Sequence, residues 1–94
     1  MKAYWIAKVN VDDNEAYAEY AKRVTPALAK YNGKFLVRGG KSIKLEGDDF
    51  KRLVIWEFPT YEKAVQCHNS KEYKDGWSLA KDTTKRNLQI VEGV

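Results

Sequence analysis

At 94 residues, 44% hydrophobic and 32% charged, the chain has the length of one domain, too apolar for disorder and too densely charged for a membrane span. A single cysteine excludes an internal disulfide, and one cysteine with one histidine cannot supply four ligands to a structural zinc ion within one chain. The net charge of +4 is local: residues 34–47 hold Lys34, Arg38, Lys41 and Lys44 against Glu46, which accounts for three of the four excess charges and excludes the broad basic stripe of a nucleic-acid binder.

From Lys2 to Val11, Ala3, Trp5, Ala7, Val9 and Val11 alternate with Lys2, Tyr4, Ile6, Lys8 and Asn10, the period of a strand. The segment contains no signal-peptide core, so a cytoplasmic protein is expected. Asp12 followed by Glu15 has capping-box spacing, and Tyr17, Tyr20, Ala21, Val24, Leu28 and Tyr31 recur at helical intervals behind it. Pro26 should kink this helix near Arg23 or Val24, and Asn32-Gly33 should end it.

Phe35-Leu36-Val37 begins a second strand up to Arg38-Gly39-Gly40, with Ser42 to Glu46 a candidate continuation. After the turn at Gly47-Asp48-Asp49, the run Arg52 to Phe58 is apolar on both faces except at Glu57, as in a central strand. Thr60 is placed to cap a helix bearing Tyr61, Ala64, Val65 and His68, and Ser70 to cap another bearing Tyr73, Trp77 and Ala80. Leu88 and Ile90 mark a last strand.

The order strand, helix, strand, strand, helix, strand predicts an α+β, ferredoxin-like βαββαβ subunit with a four-stranded antiparallel sheet, a single domain over residues 1–94. Helices on one face of such a sheet leave apolar side chains on the other. A second copy related by a two-fold axis covers them most simply, so a homodimer with sheets face to face is expected.

Glu57 stands out. Alternation puts its carboxylate on the face of Leu53 and Ile55, opposite Val54, Trp56 and Phe58, where it needs a partner or a raised pKa. Arg38, on the neighbouring strand, is the candidate partner, either as a structural ion pair or as part of a site. His68 is a candidate proton carrier or haem ligand, or else a hydrogen-bonded boundary residue. Cys67 and His68 point about 100° apart on a helix and do not form a nucleophile–base dyad. Tyr4, Tyr17 and Trp56 could line a pocket, the backbone at Gly39 and Gly40 could cradle an anion beside Arg38, and Arg86 could add a second positive group. Trp56 and Phe58 do not make an RNA platform, since Lys51 to Phe58 lacks the required glycines and carries Glu57.

Tyr4-Trp5-Ile6-Ala7, Tyr17 through Tyr20, Arg38-Gly39-Gly40, Glu57-Phe58-Pro59, Asn69-Ser70, Glu72-Tyr73 and Val91-Glu92-Gly93 together resemble the family called domain of unknown function 1330. The resemblance spans nearly the whole chain and implies a dimeric α/β barrel. The wider superfamily it implies includes antibiotic-biosynthesis-type monooxygenases, muconolactone isomerases, ethyl tert-butyl ether degradation-type proteins and haem-binding chlorite dismutases. Two positions depart from the family pattern: Lys71 stands where proline is usual, and His68 where an aromatic is commoner.

The expectation is a small, partly apolar anion bound without a cofactor or metal, held by Arg38, Gly39, Gly40, Tyr4, Tyr17 and Trp56. Glu57 or His68 would move a proton in cofactor-independent isomerase or monooxygenase chemistry. The alternatives are a non-catalytic dimer with a structural Arg38–Glu57 pair, and haem binding through His68. No nucleic-acid or membrane partner is expected.

Overall fold

The computed structural model describes all of residues 1–94. Its elements are β1 (Ala3–Val11), α1 (Asn14–Lys30), β2 (Lys34–Arg38), β3 (Arg52–Phe58), α2 (Tyr61–Asn69), α3 (Lys71–Trp77), a single 3₁₀ turn at Lys81–Thr83 and β4 (Thr84–Glu92). The antiparallel sheet has the order β2-β3-β1-β4, and the helices cover one face, as expected for a split βαβ subunit. No helix is long and apolar enough to cross a membrane.

Local chemistry explains the element ends. The cap of α1 is Asp13 rather than Asp12: its carboxylate accepts from the Glu15 and Ala16 amides, because Asp13 is the residue left in extended backbone just before the first turn. The helix runs unbroken through Pro26, which lies on the exposed side, where water can take the carbonyl freed at Lys22. It stops at Asn32, whose φ of 61° turns the chain so that the Gly33 amide reaches back to the Leu28 carbonyl at 2.8 Å. Thr60 caps α2 by accepting from the Lys63 amide. Ser70 serves two helices: its hydroxyl donates to the Cys67 carbonyl at the end of α2 and accepts from the Tyr73 amide at the start of α3.

The expected strand over Ser42 to Glu46 does not form. Gly39 adopts φ 64°, its amide makes a last bond to the Leu53 carbonyl, and residues 40–51 leave the sheet as a loop with Ile43 and Leu45 in solvent. Asn10 ties down the end of this loop by donating to the Asp49 carbonyl and accepting from the Lys51 amide.

The core centres on Trp5. Its ring lies 5.1 Å from Trp56, 5.1 Å from Phe58 and 4.9 Å from Tyr73, and its indole N–H donates to the Ala64 carbonyl at 3.0 Å. Val24, Ala27 and Leu28 of α1 are buried on the side that packs against α3, while α2 lies over the sheet. One half of α1 therefore stands off the sheet, and the space beneath it is a cleft.

A cleft between the first helix and the sheet

The cleft has a volume of about 480 Å³, and Asn14, Tyr17, Ala18, Ala21, Lys22 and Thr25 of α1 form its roof. The strand register lays out the sheet beneath it in three rows. Phe35, Trp56, Trp5 and Ile90 lie side by side across the four strands, then Arg38, Val54, Ala7 and Leu88, then Arg52, Val9 and Arg86. An aromatic row thus lies four strand residues, about 13 Å, from a row that ends in arginine on both sides. No Asp, Glu or His side chain lines the cleft.

Arg38 reaches the cleft through a bulge. Phe35 pairs with Trp56 and Val37 with Ile55, so Leu36 is an extra residue and the side-chain alternation of β2 reverses across it. Without the bulge, Arg38 would share the face of Lys34. With it, Arg38 shares the face of Phe35, over whose ring its guanidinium lies at 4.4 Å. Arg52 has the same parity as Val54 and Trp56, and its guanidinium lies 5.4 Å from the ring of Tyr17. Arg86 has the parity of Leu88 and Ile90. It is half-buried rather than solvated, stacked 3.5 Å over the Trp77 ring. Two N–H groups of cleft-lining residues, Arg52 Nε and Trp56 Nε1, have no hydrogen-bond partner in the chain.

Desolvation raises the Tyr17 phenol above its ordinary pKa, and Arg52, Arg86 and Arg38 only partly offset this. Tyr20 is raised well above the ordinary phenol value, by burial first and by the neighbouring Tyr73 second. Both therefore remain O–H donors at neutral pH.

The structure divides the residues expected from the sequence. Arg38, Tyr17 and Trp56 line the cleft together. Tyr4 and Glu57 pair with each other across β1 and β3 on the opposite, open face of the sheet. The expected Arg38–Glu57 ion pair does not form: β2 and β3 are antiparallel with Lys34 opposite Glu57 and Arg38 opposite Val54, so the two residues lie at opposite ends of the strand pair. Glu57 instead binds Lys34 at 3.2 Å and Lys2 at 3.5 Å. The Lys34 hydrogen bond holds its carboxyl below the ordinary value, outweighing desolvation.

The Gly39-Gly40 turn does not line the cleft. The Gly39 amide is committed to Leu53, and the missing Cβ makes room for Arg52, whose Nε would sit 2.9 Å from it. His68 lies in a separate recess with Trp77, Thr84 and Arg86. Its ring packs at 5.8 Å against Trp5 and 5.5 Å against Tyr73, and desolvation lowers its pKa. Cys67 is fully buried, and burial pushes its thiol up to about 12, so it is not a nucleophile at neutral pH. Arg52, Tyr20 and Tyr73 are the contributors that the sequence reading passed over. Alternation with Val54 and Trp56 carried the signal for Arg52, as alternation with Leu88 and Ile90 did for the burial of Arg86.

Comparison with known proteins is consistent with this architecture. A protein of unknown function from Rhodopseudomonas palustris superposes with a TM-score of 0.80 at 17% identity, covering 99% of this chain and 82% of that one. SnoaB from Streptomyces nogalater, described as a cofactor-independent oxygenase, matches with a TM-score of 0.67 at 7% identity over 99% and 93% of the two chains. A dimeric ferredoxin-like protein of unknown function from Thermobifida fusca matches at 0.63 and 12% identity over 97% and 90%. At these identities the likeness shows the fold alone. Among curated proteins, none matches this sequence. The model of the family described as Domain of unknown function (DUF1330) matches residues 2–94, and the chain belongs to that family.

Proposed function

We propose that the protein binds a small, elongated, partly apolar anion in the cleft beneath α1, its apolar body over Trp5, Trp56 and Phe35 and its charge at the arginine end. The observation that carries this reading is the convergence of Arg38, Arg52 and Arg86 on a cavity with no carboxylate in its lining. Arg38 and Arg52 make no hydrogen bond or ion pair within the chain, and Arg86 donates to phenol oxygens through one nitrogen only, so a ligand that brings acceptors is stabilised there.

The geometry favours binding over acid–base chemistry. Isomerase or monooxygenase chemistry of the kind expected from the sequence needs a group that moves a proton beside the substrate. Glu57 lies on the other face of the sheet and His68 in a neighbouring recess, and apart from Lys22 in its roof and the three arginines the titratable groups of the cleft are phenols held in their protonated form. The reading also includes a homodimer through the open sheet face, supported by the apolar side chains there and by a neighbour described as dimeric.

The test is titration of the protein with benzoate, 2-naphthoate and anthracene-2-carboxylate, followed by the fluorescence of the cleft tryptophans. Binding is expected to tighten as the apolar body lengthens. Arg38→Gln should weaken it by about tenfold or more, the loss of one charge-assisted hydrogen bond. If none of the three binds, or Arg38→Gln binds as well as the natural chain, the reading fails.

A further inference from the structure

Tyr20 of α1, Tyr73 of α3 and Arg86 of β4 meet where the roof of the cleft joins its inner wall. The two phenol oxygens are 2.9 Å apart, and Arg86 Nη1 lies 2.7 Å from the Tyr73 oxygen and 3.3 Å from the Tyr20 oxygen. A guanidinium only donates, so both phenol oxygens accept from Arg86. The two phenols carry two protons between them. One is used in the bond that joins them, and neither hydroxyl makes any further hydrogen bond within the chain.

One O–H is therefore unspent, and the structure distinguishes where it belongs. Tyr73 is 1% exposed and does not line the cleft, so an unspent proton there would be a buried donor with no acceptor. Tyr20, though itself only 4% exposed, does line the cleft. Tyr73 then donates to Tyr20, and Tyr20 is left with a proton to give.

We propose that the Tyr20 hydroxyl is a dedicated donor to the anionic oxygen of the cleft's ligand, oriented by Tyr73 and Arg86, and that it selects a carboxylate over head groups that bring protons of their own. The inference rests on the cleft-binding reading and assigns its specificity. The arginine row of the cleft agrees with it: Arg86 and Arg52 are donors, and Arg52 Nε has no partner within the chain. A carboxylate brings four acceptor sites and no donor, whereas a carboxamide brings two N–H donors into a wall of donors. Burial keeps the Tyr20 proton in place at neutral pH.

The experiment compares 2-naphthoate with 2-naphthamide on the natural chain, Tyr20→Phe, Tyr73→Phe and the double variant, with near-ultraviolet circular dichroism to confirm the packed core. Both single changes keep the ring, and the double change leaves no orphaned phenol, so a folded protein is available in at least one form lacking Tyr20's proton. The natural chain is expected to prefer the carboxylate. Tyr20→Phe and the double variant should each lose about tenfold in naphthoate affinity and most of that preference, the value of one hydrogen bond to a charged group. Tyr73→Phe, which loosens Tyr20 but leaves its proton, should lose less. Unchanged naphthoate binding by Tyr20→Phe, or a larger loss in Tyr73→Phe than in Tyr20→Phe, overturns the assignment of the proton. If either result accompanies Arg38-dependent binding, the cleft reading stands, whereas failure of the natural chain to bind any of the aromatic carboxylates removes both.

Discussion

Glu57 is 9% exposed on the sheet's open face, and its carboxylate is closed over by Lys34 and Lys2, which reach in from solvent. Its pKa is lower folded than unfolded, so the unfolded chain binds more protons as the pH falls below the ordinary 4.5. The stability this residue contributes is present above that pH and is lost as the pH falls through the folded value. Glu57→Gln should therefore melt at lower temperature than the natural chain near pH 7, with the gap closing as the pH falls below the ordinary carboxyl value and through the folded one. His68 is also lower folded than unfolded, and it contributes a separate loss that begins below 6.5 and is common to both proteins. A melting gap that is constant over this range would assign Glu57 a role in shape and not in charge. The same residue shows why register matters: its parity along β3 was readable from the alternation, but its partner depends on which end of β2 it faces.

The α1–α3 contact rests on a glycine. A Cβ built at Gly76 would collide with Val24 Cγ1, a β-branched side chain fully buried in α1. Helix propensity alone favours Gly76→Ala by about 1 kcal/mol, whereas overpacking a close interface costs about 1–3 kcal/mol. Packing should prevail: Gly76→Ala is expected to lower the urea midpoint, and the further change Val24→Ala to cost less in that background than in the natural chain. Simple additivity of the two changes would show that the helices can move apart. At this scale, features set by a few neighbouring residues were legible, as with the stop at Asn32-Gly33 and the cap of α3 at Ser70. The bulge at Leu36 was not, because Phe35-Leu36-Val37 reads equally well as an unbroken strand. That one residue decides which face Arg38 joins and so brings it to the cleft, while the antiparallel register takes it away from Glu57.

In the whole molecule the sheet separates two different surfaces. The helix side holds the cleft, and the open side carries Tyr4, Ile6, Val37, Leu53 and Ile55, each only partly buried. A chain of this length buries about 60–65% of its unfolded surface, so covering that face adds substantially to a modest core. Ile55 is central, paired with Ile6 on one side and Val37 on the other. A charge there would be desolvated in any face-to-face pairing but remain in water in a monomer. Native mass spectrometry of Ile55→Lys should thus show monomer where the natural chain shows dimer, and 2-naphthoate binding should persist because the cleft lies across the sheet. An Ile55→Lys dimer would move the interface elsewhere, with the exposed Ile43 and Leu45 of the β2–β3 loop the next surface to alter. Monomer that has also lost the ligand would mean that pairing holds α1 at its distance from the sheet, and that the cleft is a property of the dimer.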